Sequence, residues 1–185
     1  KTKKILDKVD LITLRDERSY KTLHEIGIEN KNVKVTADPA LDLDIADEKL
    51  GKAILKNEGV PSDKKLLGVS VRKWQNLGSD FETQIANACD YAYEKYGYYT
   101  VFLPMQSSRD TAIMQNIKRK MKHESAIIKK RYSVEGMLSI IKCFDMCIGM
   151  RLHTLIYAAI NSVPLIGLVY DPKINSFMEY THQRH

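Results

Sequence analysis

The stretch DMCIGMRLHTLIYAAINSVPLIGLVYDPK, residues 145–173, decides the fold of this chain. It opens with the apolar run DMCIGM, continues through the helical segment LHTLIYAAI, and returns to an apolar run in PLIGLVY. Two short apolar runs joined by a helix predict parallel strands, because parallel strands need a crossover connection of this kind. The runs are continuously apolar, so we expect helices to cover both faces of the sheet.

The same alternation continues from this unit towards the start of the chain. Apolar runs predict strands at 9–14, 33–40, 65–74, 98–105 and 125–130. The segments between them predict helices, and the longest covers 79–97 with Ser79 as N-cap and Glu82 three residues later, the spacing of a capping box. Together these patterns predict an α/β fold, a Rossmann-like parallel sheet with helices on both faces.

Length and composition are those of a globular protein with room for one sizeable domain, or for one domain and part of another. The 185 residues are 44% hydrophobic and 28% charged. The acidic stretch LDLDIADEKL, residues 41–50, resembles a linker and predicts a boundary there. No apolar run reaches the roughly 18 residues of a membrane-spanning helix.

The net charge of +6 arises from basic and acidic residues that are mostly interspersed, so nucleic acid is not expected as a partner. The main basic cluster lies in residues 117–132. Two interpretations of this cluster stay open. It is either a solvated helix face and loop, or a surface for an anionic partner such as a membrane or a phosphorylated substrate.

The three cysteines, Cys89, Cys143 and Cys147, have neither the even count of a disulfide framework nor the spacing of a zinc site. We expect them to pack in the core, and we expect neither a metal ion nor an organic cofactor. The chain also lacks the GxGxxG and GxxxxGK(S/T) motifs of dinucleotide and P-loop sites. Candidate site residues must therefore be sought where strands end.

Arg151 and His153 lie where the strand DMCIGM passes into the next helix. Ligands of open α/β sheets bind at the carboxyl ends of strands, and the N–H groups at a helix N-terminus attract anions. A guanidinium binds phosphate or carboxylate with two hydrogen bonds, and an imidazole exchanges protons near neutral pH. This turn therefore predicts an anion site. In the alternative, Arg151 pairs with a neighbouring carboxylate and His153 is a buried, hydrogen-bonded helix cap.

Four further side chains follow other strands and are candidates for binding at the same site: Arg15, Arg72, Gln106 and Lys173. Simpler alternatives stay open for them. Arg72 is otherwise a surface residue, and Lys173 is a solvated residue in the first turn of the last helix. Arg15 and its neighbour Asp16 are otherwise occupied in a local ion pair with Glu17 or Arg18.

Several of these segments together resemble one protein family. LRDERS follows the first strand, a later strand ends in SVR, and FLPMQSSRD covers residues 102–110. The segments IGMRLH and VYDPK complete the pattern towards the end of the chain. These motifs, spread over nearly the whole chain, resemble those of the polysaccharide pyruvyl transferases, in particular the bacterial cell-wall branch.

The resemblance implies a GT-B-like fold of two Rossmann-type domains that face a cleft. Residues 1–45 then correspond to the last elements of an N-terminal domain, and residues 46–185 to a C-terminal Rossmann-like domain with the donor site. The implied reaction transfers pyruvate from phosphoenolpyruvate to two hydroxyls of a cell-wall polysaccharide sugar and forms a ketal. The implied acceptor is a lipid-linked or polymeric sugar. The implied location is cytoplasmic, with peripheral association at the inner face of the membrane left open.

The Arg-Leu-His triplet of the family falls on Arg151, Leu152 and His153 and belongs to its donor site. The resemblance therefore implies catalytic roles for Arg151 and His153, with phosphoenolpyruvate as the donor substrate. A further arginine of the family contacts the donor. Both Arg72 and Arg15 lie at suitable strand ends for this role.

Two other functions are compatible with the sequence. The first is a GT-B glycosyltransferase with a nucleotide-sugar donor, although the sequence has no acidic pair placed for a ribose and no glycine-rich diphosphate loop. The second is a non-catalytic domain that binds anionic cell-wall polymer through residues 117–132. That second function predicts polymer binding that is sensitive to salt and independent of Arg151.

Overall fold

The computed structural model describes residues 2–44, 46–75 and 77–183, apart from the side chains of Ser107 and Ser108. Within this part the strands are Ile12–Leu14 (β1), Val33–Val35 (β2), Lys65–Ser70 (β3), Tyr98–Phe102 (β4), Ser125–Ile127 (β5), Met146–Gly149 (β6) and Leu165–Gly167 (β7). The α-helices are Thr2–Leu6 (α1), Glu17–Glu25 (α2), Glu48–Asn57 (α3), Phe81–Tyr96 (α4), Ser107–Lys120 (α5), Val134–Lys142 (α6), Leu152–Ile160 (α7) and Pro172–Tyr180 (α8). A 3-10 helix covers Pro39–Asp42.

The strands form two parallel sheets. β1 and β2 pair with Ile12 opposite Val33. The larger sheet has the order β5-β4-β3-β6-β7, and every neighbouring pair in it is parallel. The α/β fold with a Rossmann-like parallel sheet that the sequence predicts is therefore confirmed.

The chain reverses its path across the larger sheet at β3. β3, β4 and β5 follow one another towards one edge, whereas β6 returns to the other side of β3 and β7 lies beyond it. Right-handed crossovers then place α4 and α5 on one face and α6 and α7 on the other. Ser70 pairs with Gly149, so β3 and β6 end side by side where the strand order reverses.

Two hydrophobic cores, one on each face, hold the helices against the larger sheet. Leu67 and Val69 of β3 are almost completely buried in the core that includes residues of α4 and α5. On the opposite face Gly68 leaves room for the ring of Phe144, which a Cβ at this glycine would overlap. Both faces of β3 are covered, which explains why its sequence is continuously apolar.

Several strands end earlier than the sequence predicts. β3 ends at Ser70 rather than at residue 74, and β1, β2, β4, β5 and β7 are also shorter than predicted. Val71 is still completely buried, but the described residues provide no neighbouring strand for the backbone beyond Ser70. Without a partner for its hydrogen bonds the chain leaves the sheet, and the residues that follow β3 form a loop.

The capping box predicted at Ser79 and Glu82 is wrong. The N-cap of α4 is Asp80, whose side chain makes no capping hydrogen bond. The Asp80 carboxylate accepts from the side-chain amide of Gln84, and Glu82 Oε1 accepts from Asn116 Nδ2 at 3.0 Å. Contacts along α4 and with α5 thus replace the local cap that the sequence pattern suggested.

The N-terminal segment shares no strand with the larger sheet in the described part of the chain. Its 3-10 helix contacts α7. The division into residues 1–45 and 46–185 stays a prediction. The positions at its limits, Lys1, Ile45, Arg184 and His185, lie outside the described residues.

None of the helices in the described part of the chain is both long enough and apolar enough to span a membrane. The last turn of α5 carries exposed Lys118, Arg119 and Lys120. Since α5 starts at the carboxyl ends of the strands and runs back along the sheet, this basic turn lies at the opposite edge from those ends.

Gly51→Ala should destabilise the fold where α3 meets α6. A Cβ at Gly51 would overlap the carbonyl oxygen of Ser139, and a backbone atom cannot rotate aside as a side chain can. Overpacking of this kind costs about 1–3 kcal/mol, and we expect the free energy of unfolding in urea to fall by that amount. Lys49→Ala, on the exposed side of α3, is the control and should change it by less than about 0.5 kcal/mol. Unchanged stability of Gly51→Ala would contradict this account of the packing.

Candidate functional site

The carboxyl ends of β3 and β6 open into a cavity of about 460 Å³, here called the small cavity. Arg72 follows β3 and Arg151 follows β6, so these two arginines flank the point where the strand order reverses. In open α/β sheets this crevice is where ligands bind. The site residues predicted from the sequence all line it: Arg15, Arg72, Arg151, Leu152, His153 and Lys173. Their roles in binding and catalysis stay predictions.

The small cavity is cationic. Two arginines at the reversal point, a third from the N-terminal segment and Lys173 give it four positive side chains. Its described lining includes no acidic residue, and the uncharged remainder consists of Met105, Gln106, Leu152, Tyr157 and Tyr170, beside the imidazole of His153. A cleft lined by one sign of charge concentrates ligands of the opposite sign. The lining of the small cavity therefore suits the binding of an anion.

One edge of the Arg151 guanidinium is fixed by Asp110. The Arg151 Nε donates to Asp110 Oδ2 at 3.1 Å, and its Nη2 donates to Asp110 Oδ1 and, at 3.3 Å, to Gln106 Oε1. The Asp110 side chain is completely buried and also accepts from the Gln106 backbone N–H at 2.9 Å. The predicted alternative, a carboxylate partner for Arg151, is therefore present. Within the described residues its Nη1 has no hydrogen-bond partner, so that atom is available to a ligand.

Arg72 is held by aromatic rings. Its guanidinium carbon lies 5.0 Å from the centre of the Trp74 ring and 6.0 Å from that of Tyr170. These two rings meet edge to face with their centres 4.9 Å apart. The Arg72 Nε and the Tyr170 hydroxyl are buried and have no hydrogen-bond partner in the part of the chain that the structure describes. Buried polar atoms are seldom left unpaired, so both atoms point to a polar ligand at this position.

Leu152 and His153 form the first turn of α7. The N-cap residue Arg151 has an extended backbone, with φ −86° and ψ 123°, and its side chain does not cap the helix. The first N–H groups of a helix have no partner inside it and are open to an anion. His153 is exposed, makes no hydrogen bond within the described residues, and its ring centre lies 6.1 Å from that of Tyr157. The alternative of a buried, hydrogen-bonded His153 is therefore wrong.

Arg15 is held at the carboxyl ends of β1 and β2 by two aspartates. Its Nη1 lies 3.2 Å from Asp38 Oδ2, and its Nε lies 3.6 Å from Asp16 Oδ2. The Oδ1 atoms of the same aspartates cap the 3-10 helix and α2. The local pair predicted at Glu17 or Arg18 is wrong, because the pairing of β1 with β2 brings Asp38 to Arg15.

Lys173 lies in the first turn of α8, as its alternative predicts, but its side chain is only 33% exposed. Asp171 caps this helix by accepting from the Lys173 N–H at 3.0 Å, and the Lys173 Nζ lies 3.4 Å from Asp171 Oδ2. Burial raises the pKa of Asp171, but hydrogen bonds and charge from Lys173, with the charge of Arg72, lower it below its ordinary value. Asp171 is therefore ionised at neutral pH and holds Lys173 at the cavity wall.

The three cysteines lie apart from this cavity and pack as expected. Cys89 and Cys147 are completely buried, and Cys143 is half-buried against the core. Burial raises the pKa of Cys89 to about 11, that of Cys143 to about 11 and that of Cys147 to about 12. Thiols with such values are protonated at neutral pH and are poor nucleophiles.

Sequence reasoning missed the groups that hold the arginines in place. Asp110 lies in the segment FLPMQSSRD and Tyr170 in VYDPK, so both occur in motifs that carry the family resemblance. No local pattern indicated that Asp110 would pair with Arg151, or that Tyr170 would lie against Arg72. Those contacts join segments that meet only in the folded sheet.

A family model described as polysaccharide pyruvyl transferase matches residues 1–172, nearly the whole chain. The chain belongs to the polysaccharide pyruvyl transferase family. The match contains Arg15, Arg72, Arg151 and His153, and Lys173 follows it directly. A comparison with curated protein sequences gave no match.

Solved structures share the fold at low sequence identity. The UDP-GlcNAc 2-epimerase of Methanocaldococcus jannaschii, in complex with UDP-GlcNAc and UDP, is 17% identical with a TM-score of 0.63, over 85% of this chain and 45% of that one. MnaA of S. aureus, in a structure with UDP, is 15% identical with a TM-score of 0.63, over 86% and 43%. A glycosyl transferase of family 9 from Veillonella parvula is 14% identical with a TM-score of 0.54, over 88% and 44%.

This member of the pyruvyl transferase family spans less than half of the length of each of these structures. Identities this low show the fold alone, and a shared fold does not settle function. These structures confirm the fold class, a parallel sheet with helices around it as in one half of a GT-B-like fold, whereas the arrangement of two domains around a cleft stays a prediction.

Arg151→Met should destabilise the protein, because it leaves the Asp110 carboxylate buried without its partner. Removing one partner of a buried ion pair costs about 3–5 kcal/mol. The double variant Arg151→Met, Asp110→Asn should recover part of that loss, with a coupling energy of about 1–3 kcal/mol in urea unfolding. Arg119→Met, on the exposed end of α5, is the control for the loss of a positive charge. Strictly additive losses in the double variant would contradict the coupled pair.

Proposed function

We propose that the small cavity binds phosphoenolpyruvate and that the enzyme transfers its pyruvate unit to two hydroxyls of a cell-wall polysaccharide sugar, forming a ketal. The observation that carries this proposal is the convergence of four cationic side chains and His153 on one cavity whose described lining includes no acidic residue. Membership of the pyruvyl transferase family supports both the transfer and the polysaccharide acceptor.

Charge matching assigns the donor to the small cavity. Phosphoenolpyruvate carries a phosphate and a carboxylate, so cations are needed on two sides of it. The free Nη1 of Arg151 and the first N–H groups of α7 form one anion site. Arg72 supplies an unpaired Nε, whereas Arg15 is occupied by two aspartates. We therefore assign Arg72, and not Arg15, as the second arginine that contacts the donor, and Lys173 as an additional cation at the wall.

The proposed reaction adds one acceptor hydroxyl to C2 of phosphoenolpyruvate while a proton is delivered to C3. C2 gains positive character as C3 becomes a methyl group, and the C2–O bond to phosphate then breaks. The second hydroxyl then adds to C2. Of the two protons that the hydroxyls lose, one replaces the proton given to C3 and the other goes to the phosphate, so the products are the ketal and inorganic phosphate, with no change in redox state. A protonated His153 is the general acid in this scheme, and Arg151 stabilises the departing phosphate.

The same scheme guides what we propose for cofactors, acceptor and cellular location. Phosphoenolpyruvate is itself an activated donor, so the scheme uses neither a metal ion nor an organic cofactor. The acceptor is a lipid-linked or polymeric sugar, and nucleic acid takes no part. We place the reaction in the cytoplasm, with peripheral association at the inner face of the membrane as its setting when the acceptor is lipid-linked.

A nucleotide-sugar donor is the competing hypothesis. Two of the structures that share the fold contain UDP, and a diphosphate would also be attracted by the cations of the small cavity. The two hypotheses differ in the ligand that binds, so a direct binding measurement separates them.

Arg72→Gln should weaken the binding of phosphoenolpyruvate at least about tenfold, because a charge-assisted hydrogen bond contributes about 1.5–3 kcal/mol. Isothermal calorimetry with phosphoenolpyruvate and, separately, UDP measures this. Arg119→Gln removes the same charge at the opposite edge of the sheet and should leave the affinity within about twofold of the unchanged protein. Binding of UDP without binding of phosphoenolpyruvate would favour the glycosyltransferase hypothesis and overturn the proposal.

His153→Ala should reduce turnover more than donor binding. Loss of a general acid typically slows a reaction by about 10²–10⁴-fold, whereas His153 adds little to the binding of a donor held by arginines. Release of inorganic phosphate in the presence of cell-wall polysaccharide measures turnover, and calorimetry measures the affinity for phosphoenolpyruvate. Arg151→Ala, by contrast, should damage both. Equal turnover of His153→Ala and the unchanged enzyme would show that His153 is not the acid.

A further inference from the structure

A second and larger cavity adjoins the small one. It has a volume of about 730 Å³ and lies between α2, the end of β2, α7 and α8. Arg15, Leu152 and Lys173 line both cavities and form the wall between them. We infer that this large cavity is the subsite for the acceptor, and that it takes a neutral saccharide. The inference rests on the proposed function, because it assigns the anionic donor to the small cavity.

The two cavities differ in charge. The large cavity is lined by four basic and five acidic side chains, whereas the described lining of the small cavity has four basic side chains and no acidic one. A small dianion gains more from the small cavity, because its lining has four cations and no carboxylate, although Arg151, Arg15 and Lys173 are each paired with an aspartate outside that lining. A neutral polyhydroxyl ligand gains from the mixed lining, because its hydroxyls both donate and accept hydrogen bonds. On this difference in charge we assign the anionic donor to the small cavity and the neutral acceptor to the large cavity.

The lining of the large cavity matches both surfaces of a sugar ring. Leu152, Ile156 and Phe177 are buried core residues that provide an apolar floor. Tyr180 at the end of α8 is 59% exposed and lines the same cavity. A phenol ring packs its apolar face against the C–H groups of a sugar while its hydroxyl stays in water. The exposure of such a large side chain beside an apolar floor suits a stacking contact.

Hydrogen-bonding groups surround this floor. The side chains of Thr22, Thr36 and Ser176 line the cavity together with the carboxylate of Glu17. Glu17 makes no ion pair or hydrogen bond with its side chain among the described residues, so its two oxygens are available to sugar hydroxyls. Carboxylate and hydroxyl groups around an apolar floor are the combination that a saccharide requires.

The Arg15 guanidinium lies between the two cavities, and two ion pairs restrict its movement into either of them. Asp16 and Asp38 hold its guanidinium from the side of the N-terminal segment. An acceptor in the large cavity therefore lies next to the donor, beside the three residues that line both cavities, and its hydroxyls must reach C2 there.

The test is a titration of the isotopically labelled protein with four neutral disaccharides, cellobiose, maltose, lactose and N,N′-diacetylchitobiose, each with and without phosphoenolpyruvate. We expect at least one of them to shift the backbone amide signals of α2 and α8 and to bind together with phosphoenolpyruvate. Tyr180→Ala should weaken that saccharide about tenfold, the loss of a stacked aromatic contact, and leave the affinity for phosphoenolpyruvate within about twofold. Tyr91→Ala removes a tyrosine of similar exposure, 52%, from α4 and is the matched control.

Each outcome bears on one of the two proposals. Saccharide shifts at α2 and α8 that survive saturation with phosphoenolpyruvate support the acceptor subsite. Competition between the two ligands, shifts confined to other surfaces, equal affinity in Tyr180→Ala and Tyr91→Ala, or no shift from any of the four disaccharides would overturn it. Saccharide binding at α2 and α8 without any binding of phosphoenolpyruvate would support the saccharide subsite and overturn the proposed donor.

Discussion

The buried ion pair between Asp110 and Arg151 is the constraint on which the candidate site depends. Asp110 lies in the first turn of α5, which follows β4, and Arg151 follows β6, so the pair joins the loops on the two sides of β3. Since Asp110 is completely buried, no water can replace the guanidinium there, and Arg151 is held in one orientation. The first turn of α7 begins at this fixed residue, which sets the position of His153.

The cations of the small cavity are held in place by groups around it. Arg151 is anchored by Asp110, Lys173 by Asp171, and Arg15 by two helix-capping aspartates, while aromatic rings hold Arg72. None of these carboxylates lines the small cavity, so a ligand there faces four cations and no carboxylate, although the pairing of three of these cations lowers the positive potential. A site arranged in this way loses little freedom when the ligand binds, and that preorganisation favours binding and catalysis.

The fold and the function of this chain are supported by different observations. Epimerases and glycosyl transferases share the parallel sheet at identities of 14–17%, so the sheet by itself does not select a reaction. Our proposal of pyruvyl transfer rests on the arginines at the reversal point and on the family match. Our assignment of donor and acceptor to the two adjoining cavities rests on the difference in charge between their linings.

By itself the sequence determined the fold class and the edge of the sheet at which the site lies. Alternating apolar runs and helical segments specify a parallel sheet, and the carboxyl ends of its strands meet at one edge, so Arg72 and Arg151 were expected at that edge. That β3 and β6 are neighbours was decided by the tertiary structure. Only the tertiary structure decided where strands end, which carboxylate holds Arg151, and that a large cavity lies beside α8. Arg151 and Asp110 are 41 residues apart. Contacts over such separations depend on how helices pack across the sheet, which no local pattern of residues records.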